Sequence, residues 1–366
     1  PNSGLVSYAA IDEPRFEESG LLIENSTTNL LKHSSALSEA AWSKNNSSIV
    51  DDTALAPDGT MTADKLIENT ANSEHFVNQN AQVVTGEYFT ASVYLKAAER
   101  YTVTVSLGSS FFSSSALIRV NVSTGEVYYV GGDLYGHTVK PMPNGWFRVS
   151  VTGLATNTGN PSQVPKIRLL NENEDTSYLG DGVSGIYVWG AQSEQLKFPS
   201  SYIPTGGATK TRDSDNLEID TSNIPLPTED YSVSCETNIL GLLVGSSEEQ
   251  PAFRMFGESR RFMSVCRFGT TDAGIRHGTT AHGSGVNSVP FSNEKFVMTK
   301  TATELLMFKD GVELINKVPD TVTGTASDLL IGSTAATAGS GERLYGHIKN
   351  FRIYDKALSD SEVHFS

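Results

Sequence analysis

The sequence predicts an all-β protein built as two tandem β sandwiches. Apolar and polar residues alternate with period two from residue 86 onward. The pairs Thr124-Gly125, Asn144-Gly145 and Asp310-Gly311 fall between strand-like runs, where hairpin turns need positive φ. Helical pattern is scarce, which excludes an α/β chain. A length of 366 residues exceeds what one core usually serves, so two domains are expected.

Residues 1–27 are polar and Glu-rich apart from Gly20–Ile23, and read as a lead-in from an upstream region. The chain starts at Pro1 with neither an initiator Met nor a signal-like apolar stretch, as a fragment or a processed chain would. A first unit is placed at 28–197. Within it, 35–42 (SALSEAAW) is expected to make two helical turns. In YFTASVYLKA, Phe89, Ala91, Val93 and Leu95 oppose Thr90, Ser92, Tyr94 and Lys96. In YTVTVSL, Tyr101, Val103, Val105 and Leu107 oppose Thr102, Thr104 and Ser106; in WFRVSVTG, Phe147, Val149 and Val151 oppose Trp146, Arg148 and Ser150. Each strand thus has one apolar face, as antiparallel sheets with a single buried side require. The run GIYVWGAQSE is apolar on both faces at Ile186–Trp189, so Trp189 reads as core, as does Trp42.

A polar tract broken by Pro199, Pro204, Gly206 and Gly207 follows, and 198–216 is assigned as a connection. Phe198, Tyr202 and Ile203 are expected to lie against the first unit, making it a docked strap. The second unit is 217–366 and ends in a short helix over 357–363, capped by Ser359 or Asp360.

Net charge is −15, and a surface that acidic repels phosphate backbones, so nucleic acid is not an expected partner. No apolar run has the length of a membrane-spanning helix. Cys235 and Cys266 sit in strand-like segments and read as buried free thiols, with a disulfide as the alternative.

Catalytic constellations are mostly missing. There is no G-x-S-x-G, H-E-x-x-H or P-loop pattern. His277 and His282 fall in a Gly/Ser/Thr-rich stretch expected to be a solvated loop. Glu218-Ile219-Asp220 begins like a paired-glutamate glucanase strand, but Asn223 stands where the second Glu is needed, so the two-carboxylate reaction is not available. No enzyme is therefore expected, and no cofactor other than a structural calcium, which stays open. The loop NENEDTSYLGDG carries Glu172, Glu174, Asp175 and Asp181, an oxygen cluster compatible with a structural calcium but without EF-hand spacing. Arg254, Arg260, Arg261 and Arg267 read as surface arginines alternating with core Phe253, Phe256, Phe262 and Phe268; a pocket for acidic sugars is the alternative.

Glycan binding needs less: an aromatic ring for sugar C–H faces and a few polar groups for hydroxyls. Tyr94, Lys96, Trp146 and Arg148 lie on polar strand faces and are the expected ligand-binding residues. Two other readings stay open: Trp146 folded over the sheet edge, and Tyr94 with Arg148 in a contact between subunits.

Several landmarks of the first unit occur in a characteristic order: GLLIENSTTNLL, PDGTMTADKL, GEYFTASVYLKA, NVSTGEV, NGWFRVSVTG, GDGVSGIYVWGAQSE and SYIPTGGATKTRDSD. This segment, 14–215, resembles a carbohydrate-binding-module-like jelly roll recurrent in bacteriophage tail fibres, tail spikes and related virion appendages. The second unit, with EDYSVSCETNI, LLMFKDGVELINKV and LYGHIKNFRIYDKALSDSEV, resembles the concanavalin A-like/laminin-G-like sandwich. The resemblance implies a virion-surface protein for host attachment that binds host cell-surface polysaccharide without catalysis. It also implies a homotrimer among other virion proteins, with no membrane insertion. The alternatives are a purely structural virion protein, as a capsid decoration or connector, and a polysaccharide depolymerase.

Overall fold

The computed structural model describes residues 5–10, 13–109, 111–159, 164–219, 230–240, 249–257, 261–268, 272–277, 280–283, 294–319, 326–332 and 344–364. The chain forms two compact units, the first from 1–8 and 27–212, the second from 9–26 and 213–366.

In the first unit two six-stranded antiparallel sheets face each other. One runs Glu126–Gly131, Leu117–Asn121, Thr102–Ser106, Lys166–Leu169, Phe76–Asn78, Ser43–Asn45. The other runs Leu134–Met142, Trp146–Leu154, Tyr88–Ala97, Gly185–Glu194, Ala63–Glu68, Ser47–Ala54. Between them lie the predicted inward residues Val93, Leu95, Val103, Val105, Val149 and Val151, with Ile186 and Val188 of the run apolar on both faces, all buried; Tyr101, expected on the inner set, precedes its strand and is 37% exposed. Each such side chain stabilises the sandwich by about 1.5–3 kcal/mol through area removed from water.

The hairpin turns are as the sequence predicts. Asn144 (φ 60) and Gly145 (φ 77) join Leu134–Met142 to Trp146–Leu154, and Asp310 (φ 49) with Gly311 (φ 79) joins Glu304–Lys309 to Val312–Pro319. Two successive positive φ values match the twist of the flanking strands, and Asn and Asp tolerate them better than other non-Gly residues.

The stretch 35–42 is not helical. It forms successive turns in which the amides of Ala36, Glu39 and Trp42 donate to the carbonyls of His33, Ala36 and Glu39. The Leu37 amide is captured instead by the Asp64 carboxylate at 2.7 Å, and the indole of Trp42 donates to the His33 carbonyl at 3.0 Å. These tertiary bonds outcompete the weak propensity of a two-turn helix.

The second unit pairs a seven-stranded sheet with a six-stranded one, again antiparallel throughout. The first runs Phe16–Glu17, Gly20–Ile23, Gly346–Tyr354, Tyr231–Ile239, Glu294–Lys300, Glu304–Lys309, Val312–Pro319. The second runs Leu217–Ile219, Ala326–Ile331, Glu249–Gly257, Arg261–Phe268, Asp272–His277, Thr280–Gly283. The core includes Ile23, Tyr231, Val233, Phe253, Met298, Met307, Leu329 and Ile348. The predicted C-terminal helix is present at Asp360–Val363, with Ser359 and Glu362 forming a reciprocal capping box.

The lead-in expectation for 1–27 is corrected. Gly20–Ile23 pairs with Gly346–Tyr354, and Arg15 bridges Glu24 and Asp215, so 9–26 belongs to the second unit. The cause is Leu21 and Ile23, which need a core and find it beside Ile348.

The strap is present, but it belongs to the first unit up to Arg212: Lys210–Arg212 pairs with Thr27–Asn29. Phe198, Tyr202 and Ile203 are buried, as expected. Polar groups hold the strap alongside the apolar ones. Buried Glu194 accepts from the Ser200 amide (2.8 Å) and hydroxyl (2.6 Å), and Gln192 accepts from the Ile203 amide at 2.8 Å. Burial raises the pKa of the Glu194 carboxyl, against the hydrogen bonds from Ser200 and Gln192 that favour its ionised form. The Tyr202 hydroxyl meets Ser34 Oγ at 2.7 Å, so Tyr202→Phe is expected to cost the first unit about 1 kcal/mol in denaturant unfolding.

Candidate functional site

The four expected ligand-binding residues do not make an exposed platform. Tyr94 is 3% exposed and Trp146 1%; with Ala56, Ala63, Trp189 and Tyr202 they form a second apolar cluster on the far side of the Tyr88–Ala97 sheet. The Trp146 indole donates to the Leu55 carbonyl at 3.1 Å. Arg148 lies over the Tyr94 ring at 5.4 Å and donates to the Ser200 carbonyl at 2.7 Å, fastening the strap. Lys96, half-buried, runs beside the Asn144-Gly145 turn. The expectation of one wet face is therefore corrected. The strap and the segment around Ala54–Ala63 cover that face, so sheet residues on both sides are buried. One signal was present: Trp189, apolar on the same face, is the register neighbour of Tyr94.

A different face keeps unsatisfied chemistry. Across the outer side of the other sheet, registered pairing sets Tyr129, Arg119, Thr104, Arg168, Phe76 and Asn45 in one row. Strand alternation builds it: Val103, Val105, Ile118, Val120, Ile167 and Leu169 point into the core, sending their neighbours outward. Tyr129 is 47% exposed and its ring lies over Gly131, with the Arg119 guanidinium 4.9 Å from its centroid. Thr104 is 1% exposed, at the middle of the row. Lys166 lies 3.8 Å from the Phe76 ring centroid and bonds Glu74 at 2.9 Å, and Arg168 also pairs with Glu74.

Among the described residues, four buried atoms on this face have no hydrogen-bond partner: Thr104 Oγ1, Arg119 Nε, Arg168 Nε and the Tyr128 hydroxyl. Burial pushes the Tyr128 phenol up to about 12, Glu174 adding to the rise and Arg119 opposing it, so the group stays a neutral donor. Burial alone would raise the Glu74 carboxyl, but Lys166 and Arg168 outweigh it and hold it below its ordinary value.

Elsewhere in this unit, Lys197 is clamped between two tyrosines, 4.1 Å from the Tyr88 centroid and 5.3 Å from that of Tyr135. Burial lowers its pKa, Glu87 opposing, and the clamp pins the start of the strap.

The acidic loop is arranged around its own backbone. Asp181 accepts from the Val183 and Ser184 amides (2.8 and 2.7 Å) and from the Ser184 hydroxyl. These bonds, with Arg100 nearby, outweigh burial and hold it at about 2. Asp175 bonds Asn171, while Glu172 and Glu174 are exposed. Among the described residues no group of three or more His, Cys, Asp or Glu side chains is placed to hold a metal ion.

In the second unit, Cys235 is buried and free, its thiol pushed up to about 12 by burial, with Glu236 adding to the rise. The side chain of Cys266 lies outside the described residues. The loop expected around His277 and His282 is instead a strand pair, Asp272–His277 with Thr280–Gly283, whose side chains lie outside the described set. Arg254 is buried rather than superficial; the side chains of Arg260, Arg261 and Arg267 lie outside the described residues. Glu218 sits on Leu217–Ile219, and Asp220 and Asn223 lie outside the described residues.

No protein-family model matches the chain, and no curated protein matches it. Several solved structures align with the chain at low identity. A carbohydrate-binding module (CBM40) of the Ruminococcus gnavus IT-sialidase, bound to α2,3-sialyllactose, is 10% identical. That match covers 42% of this chain and 92% of the other, with a TM-score of 0.33. A heptameric SAP-like pentraxin from Limulus polyphemus is 11% identical over 38% of this chain and 70% of its own, TM-score 0.31. Domains LG4-5 of the mouse laminin α1 chain are 8% identical over 96% of each chain, TM-score 0.28. Likeness at this level assigns no ligand; the all-β sandwich architecture rests on the strand order given above.

Proposed function

We propose that this chain is a receptor-binding segment of a phage tail fibre or tail spike, displayed on the virion, that holds host cell-surface polysaccharide without cleaving it. The observation that supports this reading is the outer face of the Thr102–Ser106 sheet, where an exposed tyrosine ring adjoins buried polar atoms without partners. A buried polar group left unpaired costs about 1–3 kcal/mol, and sugar hydroxyls are suited to satisfy several at once. The ring offers its face to sugar C–H groups. Glu74, held ionised by Lys166 and Arg168, is a poor general acid, which favours binding over glycoside cleavage.

Glycan-array and host-cell binding by the whole chain test the reading. Tyr129→Ala is expected to weaken binding about tenfold or more, as loss of an aromatic anchor does, with the unfolding midpoint unchanged. New reducing ends or unsaturated products from host capsule would make the protein a depolymerase instead. Failure to bind any glycan, with a stable oligomeric mass in which Tyr129 is hidden, would assign the face to assembly.

A further inference from the structure

We propose that the ligand of this face carries a carboxylate, an acidic glycan gripped between Arg119 and Arg168 above Thr104. The inference rests on the reading of the face as a glycan site and adds the class of sugar.

The first argument is charge. The chain as a whole carries −15, yet this face gathers Arg119, Lys166 and Arg168. Glu74 takes up Lys166 and Arg168. Glu174 lies near enough to raise Tyr128, but Arg119 makes no ion pair among the described residues and rests on the Tyr129 ring. A half-buried guanidinium without a carboxylate is an unusual state, because a charge taken out of water is normally paired. The acidic remainder of the surface does not cancel this local attraction, since fields are screened beyond about 8 Å at physiological salt.

The second argument is geometry. Arg119 and Arg168 flank Thr104 in the register, one strand to either side. Neighbouring strands lie about 4.8 Å apart, so the two arginine backbones stand about 10 Å apart, a span that two arginine side chains turning from the Tyr129 ring and from Glu74 toward Thr104 are long enough to bridge. Each has a buried Nε–H that lacks an acceptor among the described residues. A carboxylate accepts up to four hydrogen bonds in the plane that a guanidinium fork supplies, which a neutral hydroxyl does not. The Thr104 hydroxyl and the Tyr128 hydroxyl remain for the ring oxygens beside it.

The test compares matched probes: hyaluronan and polygalacturonate, each against its carboxyl-reduced neutral form, together with an array of other carboxylated and neutral glycans. The whole chain is used, with tryptophan fluorescence as the check of folding. An acidic form is expected to bind about tenfold or more tightly than its reduced counterpart, and Arg119→Gln to abolish that difference. Arg168→Lys keeps the charge but loses the fork, and is expected to show a partial loss, so the result does not depend on one variant folding. Equal binding of acidic and neutral forms, both weakened by Tyr129→Ala, would overturn the carboxylate and leave the glycan reading standing. Failure to bind any glycan on the array, acidic or neutral, would overturn the glycan reading itself.

Discussion

Glu68→Gln is expected to destabilise the first unit by about 3–5 kcal/mol at neutral pH, the usual cost of removing one partner of a buried ion pair. Glu68 is wholly buried and accepts from Arg100 Nε (2.9 Å) and Nη2 (2.7 Å), the Tyr178 hydroxyl (2.7 Å) and the Asp181 amide (3.0 Å). The network ties Ala63–Glu68 to the 178–184 segment. Burial alone would raise the carboxyl, but the bonds from Arg100, Tyr178 and Asp181 outweigh it and hold it below its ordinary value of 4.5. A group depressed in the folded state contributes stability above its unfolded pKa and loses it as pH falls through the folded one. The difference between wild type and variant is therefore expected to be full above about pH 5 and to shrink as pH drops below 4.5. All three tryptophans, Trp42, Trp146 and Trp189, belong to the first unit, so denaturant unfolding read by their fluorescence isolates it. A constant difference down to pH 3 would show that the ionised pair is not what the network contributes.

Trp146→Ala is expected to cost about 3–5 kcal/mol, the range for truncating a buried aromatic, and to broaden or abolish the cooperative transition of the first unit. The indole is 1% exposed, packs with Trp189 and Tyr94, and donates to the Leu55 carbonyl. Its removal leaves a cavity and an acceptor without its donor. From the sequence alone Trp146 is expected to touch ligand, and then truncation would spare stability and weaken binding. Unfolding by fluorescence of Trp42 and Trp189, paired with glycan binding of the fraction still folded, separates the two outcomes. A stable Trp146→Ala protein that fails to bind would restore the ligand role.

The same contrast shows what was legible in the chain. Period-two runs such as YFTASVYLKA and TVTVS assign strands and inner faces correctly, because alternation across a pleat is local and each core residue must bury its own side chain. Asn144-Gly145 and Asp310-Gly311 mark their turns because few other pairs hold two positive φ values. The Ser359–Glu362 capping box is equally local. The strap was legible too, since Phe198, Tyr202 and Ile203 are apolar groups in a tract with no core of its own.

The outer faces were not legible, because what covers or completes them comes from elsewhere in the chain. Tyr94 looks wet until the strap brings Tyr202 onto Trp189, their rings 4.8 Å apart. Gly20–Ile23 looks like a stray apolar patch until Gly346–Tyr354 takes it as a neighbour. Arg119 and Arg168 belong to strands that are not consecutive, and only the strand order places Thr104 between them. Local pattern by itself determined two all-β sandwiches, their turns and their inner residues. Tertiary structure decided which polar face was sealed and which kept unpaired donors, because strand order and register are long-range choices that alternation does not encode.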